Sequence, residues 1–407
     1  MTRTYSFPEG HWNWPVQLTH KHGVRHGEMI YTGGQVDLDH KGRVQNPDEL
    51  EPQVHNSMDY LRIVLEDLGS SLEDLVKLVV FYVGDALDEW RIQEMIAEIL
   101  GDNARPVLNL VPMQELCYPH MRCEIEGVAM AGVKSGSSSR RCHHLEDMPK
   151  LHSAFSHVVH CGDMIFTSDI STLQADGSVE QAGDLVGQTQ TMMERLMKCL
   201  AVVGAESDDV CQLNLFYVDS TSAEDWEAPA LIRAGFFTEP GPAATGVPVM
   251  KFAQDGLCTK IFVTAMRGED GEKLEKSYSW PDGHWDWTVH LPYKHGNKCG
   301  RMIHMGGQVS IDQNANVIDP NDMVAQTKTA MNYIKDVLAE FGATLDDVIK
   351  VRTFYQGEAS AEALHENLLI RSNSYTEQGP ATTGIPVPCL VYPSMVIEIE
   401  IIAMVDG

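Results

Sequence analysis

Basic side chains are scarce in this chain: 30 Lys and Arg stand against 58 Asp and Glu, for a formal net charge of -28 over 407 residues. Such an acidic chain repels a phosphate backbone at long range, and its basic residues form no cluster beyond the pair Arg140-Arg141, so nucleic acid is not expected as a partner. Long apolar runs are missing too. No stretch reaches the roughly 18 apolar residues that a membrane helix needs. Residues 1–8 lack the apolar core of a signal peptide, which points to the cytoplasm. The nine cysteines are odd in number and include no C-x-x-C pair, which argues for thiols in a reducing compartment rather than a disulfide framework. With 43% hydrophobic and 22% charged residues the chain is globular, and its length calls for two or three domains.

What is present is repetition. Lys21-His22-Gly23 through Met29-Ile30-Tyr31-Thr32-Gly33-Gly34-Gln35-Val36 returns as Lys294-His295-Gly296 through Met302-Ile303-His304-Met305-Gly306-Gly307-Gln308-Val309, and in altered form from His157 through Asp169. Gly27, Gly162 and Gly300 set the register, and at the same offsets Gln53 meets Gln188 and Gln326, Gly69 meets Gly204 and Gly342, and Phe81-Tyr82 meets Phe216-Tyr217 and Phe354-Tyr355. The chain is a triplication. Repeats are expected at 1–132, 150–268 and 277–407, joined by unstructured linkers at 133–149, which is serine-rich, and at 269–276.

Each repeat reads as one α+β unit. Residues 28–36 are apolar or β-forming before the Gly-Gly break and predict a strand entering a turn. Val54, Met58, Leu61, Leu65 and Leu68 step by four, three, four and three residues, which places them on one helical face that Gly69 closes. A strand is expected at 75–83, a second helix at 87–100, and two strands at 105–113 and 121–130.

These residues resemble the RidA, or YjgF, family of enamine and imine deaminases. The carriers are Gly33-Gly34-Gln35 and Gly306-Gly307-Gln308, Asp74-Leu75-Val76-Lys77 and Asp347-Val348-Ile349-Lys350, and Glu124-Ile125-Glu126 and Glu398-Ile399-Glu400. The resemblance implies a chorismate-mutase-like fold. Because family members are single-repeat homotrimers with ligand clefts between subunits, it also implies that three fused repeats form an intramolecular pseudo-trimer, with further oligomerisation open. By the same resemblance the carboxylate-binding arginine matches Arg105, with Ala244 and Thr382 in the other copies. The last-strand glutamate matches Glu124 and Glu398, with Lys260 in copy two, and the tyrosine before the register glycine matches Tyr293.

The chemistry of these side chains fits that expectation. A planar guanidinium holds a substrate carboxylate bidentately while a nearby carboxyl relays protons and positions water. The expected set is therefore Arg105 with Glu124 and Tyr293, with Glu398 in the second intact copy and Gly34 and Gly307 lining the substrate. His11-Trp12 and His284-Trp285 have two readings: an aromatic wall with a histidine acid or donor at a cleft mouth, or a staple that fastens each N-terminal segment to its own repeat. The staple is the commoner use of buried aromatics. No third ligand accompanies His20 and His22 at a metal-binding spacing, so neither metal nor organic cofactor is expected. The leading reading is a hydrolytic deaminase of a small carboxylate-bearing enamine or imine. The alternatives are a hydrolase of another C–N bond, in an amide or cyclic nitrogen compound, and a non-catalytic metabolite-binding protein.

Overall fold

The structure, a computed structural model, describes residues 3–146, 148–218, 223–376 and 378–406, with backbone alone at 223–225. The first repeat runs β1 (Arg3–Ser6), β2 (Gly23–His26), β3 (Met29–Thr32), α1 (Leu50–Asp67), β4 (Leu75–Tyr82), α2 (Ala86–Leu100), β5 (Val107–Pro112) and β6 (Cys123–Met130). The second runs β7 (Arg140–His143), β8 (Val158–Cys161), β9 (Met164–Thr167), α3 (Leu185–Ala201), β10 (Val210–Val218), α4 (Ala223–Ala234), β11 (Ala243–Val249) and β12 (Thr259–Met266). The third runs β13 (Lys276–Ser279), β14 (Gly296–Cys299), β15 (Met302–Met305), β16 (Gln308–Val309), α5 (Met323–Glu340), β17 (Val348–Gln356), α6 (Ala361–Ser372), β18 (Ala381–Val387) and β19 (Ile397–Met404).

One topology is built three times. The sheet order is β1-β2-β3-β6-β4-β5, then β7-β8-β9-β12-β10-β11, then β13-β14-β15-β19-β17-β18, with β16 added beside β19. The register glycines explain themselves here: Gly27, Gly162 and Gly300 turn the first hairpin of each repeat at φ of 62°, 53° and 56°, a left-handed conformation that a side chain disfavours. The register glutamines are ties. Gln53 Nε2 donates to Asn46 O and His120 O while its Oε1 accepts from Arg122 N, so the start of α1 is fastened to the loop entering β6. Gln188 and Gln326 do the same in their repeats.

Strand β4 is buried along its whole length because both of its faces are covered. Leu78, Val80 and Tyr82 pack on the α1 and α2 face with Val54, Met58, Leu61 and Ile92. The alternate residues meet the other repeats, as the period of two requires. Phe81, Phe216 and Phe354 form a triangle of edge-on rings with centroids 6.4, 6.3 and 5.9 Å apart. Beside them lies a buried charged layer. Lys350 Nζ is 2.7 Å from Glu126, Arg352 is ion-paired to both Glu126 and Glu400, and Asn214 and Thr245 donate to Glu400 at 2.7 and 2.6 Å.

The first junction departs from expectation. Residues 133–149 contain β7, which pairs antiparallel with β8 in the register Arg140↔Cys161 to His143↔Val158. The Ser/Gly run at 135–139 reads as linker, but the strand behind it is the edge strand of sheet two, the counterpart of β1 and β13. Each of these edge strands also carries a basic residue that reaches another repeat. Arg140 Nη1 donates to Glu73 O and Leu75 O at 2.9 Å, Lys276 Nζ to Asp208 O and Val210 O at 2.6 and 2.9 Å, and Arg3 Nη2 to Met404 O at 2.9 Å. Lys276 likewise falls at the end of the second expected linker. Among the described residues no helix is long and apolar enough to cross a membrane.

Removing one member of a buried ion cluster leaves charge without compensation, at a cost of about 3–5 kcal/mol. Arg352→Met is therefore expected to lower stability by that order, since among the described residues it leaves Glu400 without a cation and Glu126 with Lys350 alone. A loss below about 1 kcal/mol would show that the charged layer does not hold the repeats in place.

Candidate active site

Two turns and two carboxyls define the site. In repeats one and three the second glycine of Gly-Gly-Gln lies directly against a glutamate of the last strand: a Cβ at Gly34 would collide with the Glu124 carboxyl, and one at Gly307 with that of Glu398. The glutamine of each turn is held by the N-terminal motif. His11 Nε2 and Trp12 Nε1 both reach Gln35 Oε1, at 2.9 and 3.3 Å, and His284 and Trp285 reach Gln308 Oε1 at 2.8 and 3.2 Å. The two sequence motifs are thus one device, and repeat two, with Ser168-Asp169-Ile170 at the turn, lacks both halves.

The carboxyls are unusual acids. Burial, and then the negative charge of Glu126, push Glu124 up to about 8; burial and then Glu400 push Glu398 up to about 8. Both are shifted toward the protonated form, which can donate as well as accept. The histidines behave oppositely. Burial holds His11 down at about 4, against the opposing pull of Gln35, and His284 is lowered by the same cause. They are neutral fasteners, as in the staple reading, while Trp12 and Trp285 also line cavities.

Glu398 opens into a cavity of about 60 Å³ between repeats two and three. Repeat three contributes Gly307, Trp285, Trp287 and Tyr293, and repeat two contributes Trp226 and Arg233 from α4 and Ala244 and Gly246 from β11. Arg233 is buried, and its Nε donates to Tyr293 Oη at 3.1 Å. Among the described residues no carboxylate pairs with it, and the guanidinium lines this cavity.

Glu124 opens into a smaller cavity of about 20 Å³ between repeats three and one, lined by Gly34, Trp12, Trp14, Cys117 and Tyr118 with Leu368, Thr382 and Thr383 of repeat three. Behind Thr382 lies Arg371 of α6. It is fully buried, donates to Asn367 Oδ1 and, at 3.2 Å, to Thr382 Oγ1, and is lowered to about 10 by that burial.

The third position is filled by the protein itself. Lys260 replaces the glutamate and Asp169 the glycine, and Lys260 Nζ lies 3.2 Å from Glu89 and 3.7 Å from Asp169, with a bond to Leu110 O at 3.1 Å. Asp169 accepts from Leu110 N at 2.7 Å, and Tyr82 and Gln254 close on Glu89. An internal ion pair occupies the position that corresponds to Glu124 and Glu398 and their glycine turns.

Arg105 is not brought to Tyr293. It precedes β5 at a φ of 49°, its carbonyl accepts from Ser156 Oγ at 2.9 Å and lies near Cys142, and it therefore stands at the boundary of repeats one and two. Strand register also corrects its alignment. Lys77, Gln212 and Lys350 pair with Val107, Ala243 and Ala381, and Pro106, Pro242 and Pro380 each accept a backbone bond from the next repeat. Arg105 therefore corresponds to Gly241 and Gly379, and Ala244 and Thr382 correspond to Leu108. Arg233, which lines one cavity, and Arg371, which lies behind the other, come from helices, and a last-turn helical arginine reads from sequence as solvated. Their shared offset of 138 residues, the offset of Gly162 to Gly300, was the available signal. Among the described residues no group of three His, Cys, Asp or Glu is placed to hold a metal ion.

The family model described as Endoribonuclease L-PSP matches the chain three times, at residues 16–131, 146–265 and 288–405. A RutC family protein of Pyrococcus abyssi (strain GE5 / Orsay) is 33% identical over 112 residues, covering 28% of this chain and 85% of that protein. The 3-aminoacrylate deaminase RutC of Acinetobacter baylyi is 29% identical over 114 residues, 28% of this chain and 87% of its own. Each relative is thus similar to about one repeat. A crystal structure of chorismatase shares the fold at a TM-score of 0.55 with 11% identity, over 81% of this chain and 93% of that one, an extent beyond any single repeat.

The raised carboxyls carry a pH signature. A glutamate that titrates near 4.5 when unfolded and near 8 when folded binds more protons in the native state across that window, so its contribution to stability is full below pH 4.5 and is lost as pH rises through 8. The double variant Glu124→Gln, Glu398→Gln should therefore gain stability relative to the parent between pH 5 and 8, read from urea midpoints. Parallel pH profiles for the two proteins would refute the assignment.

Proposed function

The chain belongs to the Endoribonuclease L-PSP family, the RidA/YjgF family, and on that premise we propose that it is a hydrolytic deaminase of a small carboxylate-bearing enamine or imine, working at the cleft between repeats two and three. The observation that carries this reading is the presence, in one cavity, of the buried carboxyl of Glu398, whose pKa is raised, and the buried guanidinium of Arg233, which among the described residues has no carboxylate partner. The 3-aminoacrylate deaminase among the relatives supports the substrate class.

The substrate carboxylate takes the guanidinium of Arg233, which Tyr293 orients through its hydroxyl. Glu398 donates its proton to the enamine carbon, giving an iminium and leaving a carboxylate. That carboxylate removes a proton from water as the water oxygen bonds to the C=N carbon. The resulting carbinolamine expels ammonia when nitrogen is protonated and the hydroxyl proton is lost, so enamine and water become carbonyl compound and ammonia. Gly307 permits the close approach of Glu398 to the turn, and Trp285 and Trp287 exclude bulk water. Glu124, with Gly34 and Trp12, supplies a second and tighter copy of the same acid at the cleft of repeats three and one. In this reading the repeats stand as the subunits of an intramolecular pseudo-trimer, supported by the phenylalanine triangle and by the reach of Arg3, Arg140 and Lys276 between repeats.

The four rings of Trp226, Trp285, Trp287 and Tyr392 favour a second reading, hydrolysis of a C–N bond in a planar cyclic compound. Turnover of a cyclic amide without turnover of either aminoacrylate would select it.

Ammonia release from freshly generated 2-aminoacrylate and from 3-aminoacrylate tests the leading reading. Glu398→Gln should lower kcat by about 10²–10⁴-fold, Arg233→Met should act chiefly through KM, and Arg105→Ala should keep the parental rate. Unchanged turnover in Glu398→Gln would sink the proposal.

A further inference from the structure

Where the three sheets meet, an enclosed cavity of about 30 Å³ is lined by Lys77, Lys350, Arg352, Glu126 and Glu400. Three cations face two carboxylates. Arg352 serves both Glu126 and Glu400, and Lys350 is satisfied by Glu126 at 2.7 Å, Thr32 O at 2.9 Å and Thr383 Oγ1 at 2.8 Å. Gln212, the counterpart of these lysines in repeat two, donates to Met305 O at 3.1 Å. Lys77 is the exception. Its side chain is as buried as that of Lys350, yet among the described residues it has no ion pair and no hydrogen-bond acceptor, and its ammonium rests only on the face of the Phe262 ring, 4.4 Å from the centroid. A ring face stabilises a cation but does not neutralise it. Tyr31, which lines the same cavity, adds a buried hydroxyl without a partner.

We propose that this central cavity binds one monovalent inorganic anion of halide size, with the Lys77 ammonium as its principal ligand. The anion supplies the missing negative charge and makes the layer neutral, three against three. The volume holds one particle of about the size of a water molecule, which admits chloride or bromide and excludes phosphate and sulfate. The electrostatics agree. Burial, then Arg352, pull Lys77 down to about 7 against the opposing pull of Glu400, Glu126 and Asp169, the last of which is already engaged by Lys260. An anion in contact restores the charged form. Unlike the clefts, this site draws its lining from all three repeats, so its occupancy acts on their association and not on substrate.

Two measurements on the full chain test the site. At constant ionic strength, replacing gluconate by chloride should raise the Tm of the parent saturably, by about 2 °C or more, and should leave Lys77→Met unmoved. Crystals of the parent soaked in bromide should show an anomalous peak touching Lys77 Nζ, a result that stands even where Lys77→Met fails to fold. A bromide-free cavity, or an equal chloride response in parent and variant, would overturn the proposal in favour of a neutral lysine beside water.

Discussion

One guanidinium sets the polarity of the whole interior. Arg352 on β17 bridges Glu126 of repeat one and Glu400 of repeat three, deep in the protein where unpaired charge is costly. Burial alone pushes Glu126 up, but Arg352 and Lys350 outweigh it and hold Glu126 well below the usual carboxylate range. A fixed negative charge then stands two residues from Glu124 on the same strand face, and Glu400 stands likewise to Glu398. Like charge adds to desolvation, and both outer carboxyls are shifted toward the protonated form. The buried ion pair and the raised carboxyl thus share one alternating Glu-Ile-Glu pattern, the inner residue ion-paired and the outer one beside the glycine turn.

Repeat two lacks that pattern and is remodelled around its loss. Phe262 occupies the inner position and Lys260 the outer one, and the turn glycine is free to become Asp169 because no glutamate presses against it. Four changes are mutually dependent: the loss of glutamate, the loss of glycine, the arrival of a lysine, and the disappearance of the His-Trp fastener that served the turn. Glu89 of repeat one then completes the plug across the boundary. In a homotrimer such a plug would close every cleft; in a triplicated chain it closes one.

Much of this was legible in the residues. The offsets of glycine, glutamine and phenylalanine locate the hairpins, the helix ties and the central contact, and the helical stripe from Val54 to Leu65 falls on α1 with Leu68 at its C-cap. Glu124 and Glu398 were named from the family resemblance, as its last-strand glutamate. Arg233 and Arg371 were not named, for two physical reasons. Repeat one has one residue fewer between β4 and β5, 30 positions from Lys77 to Val107 against 31 from Gln212 to Ala243 and from Lys350 to Ala381, so Arg105 belongs with Gly241 and Gly379 and not with Ala244 and Thr382. Arg233 is bonded to Tyr293 of another repeat and Arg371 to Thr382 of β18, tertiary contacts that no local periodicity encodes. The strand β7 escaped for a related reason: four residues of mixed polarity acquire their conformation only from β8.

The cavity at Glu398 takes that carboxyl from repeat three and Arg233 from repeat two, and the cavity at Glu124 is lined by repeats one and three, yet all lie on the same polypeptide. For separate subunits that geometry depends on encounter, and a dilute solution would empty the sites by dissociation. Here the partners arrive together from the ribosome at an effective concentration fixed by the connecting chain, so the composite sites are governed by folding and not by mass action. A protein made in small amounts can therefore keep shared sites that a dissociating assembly of the same affinity would lose.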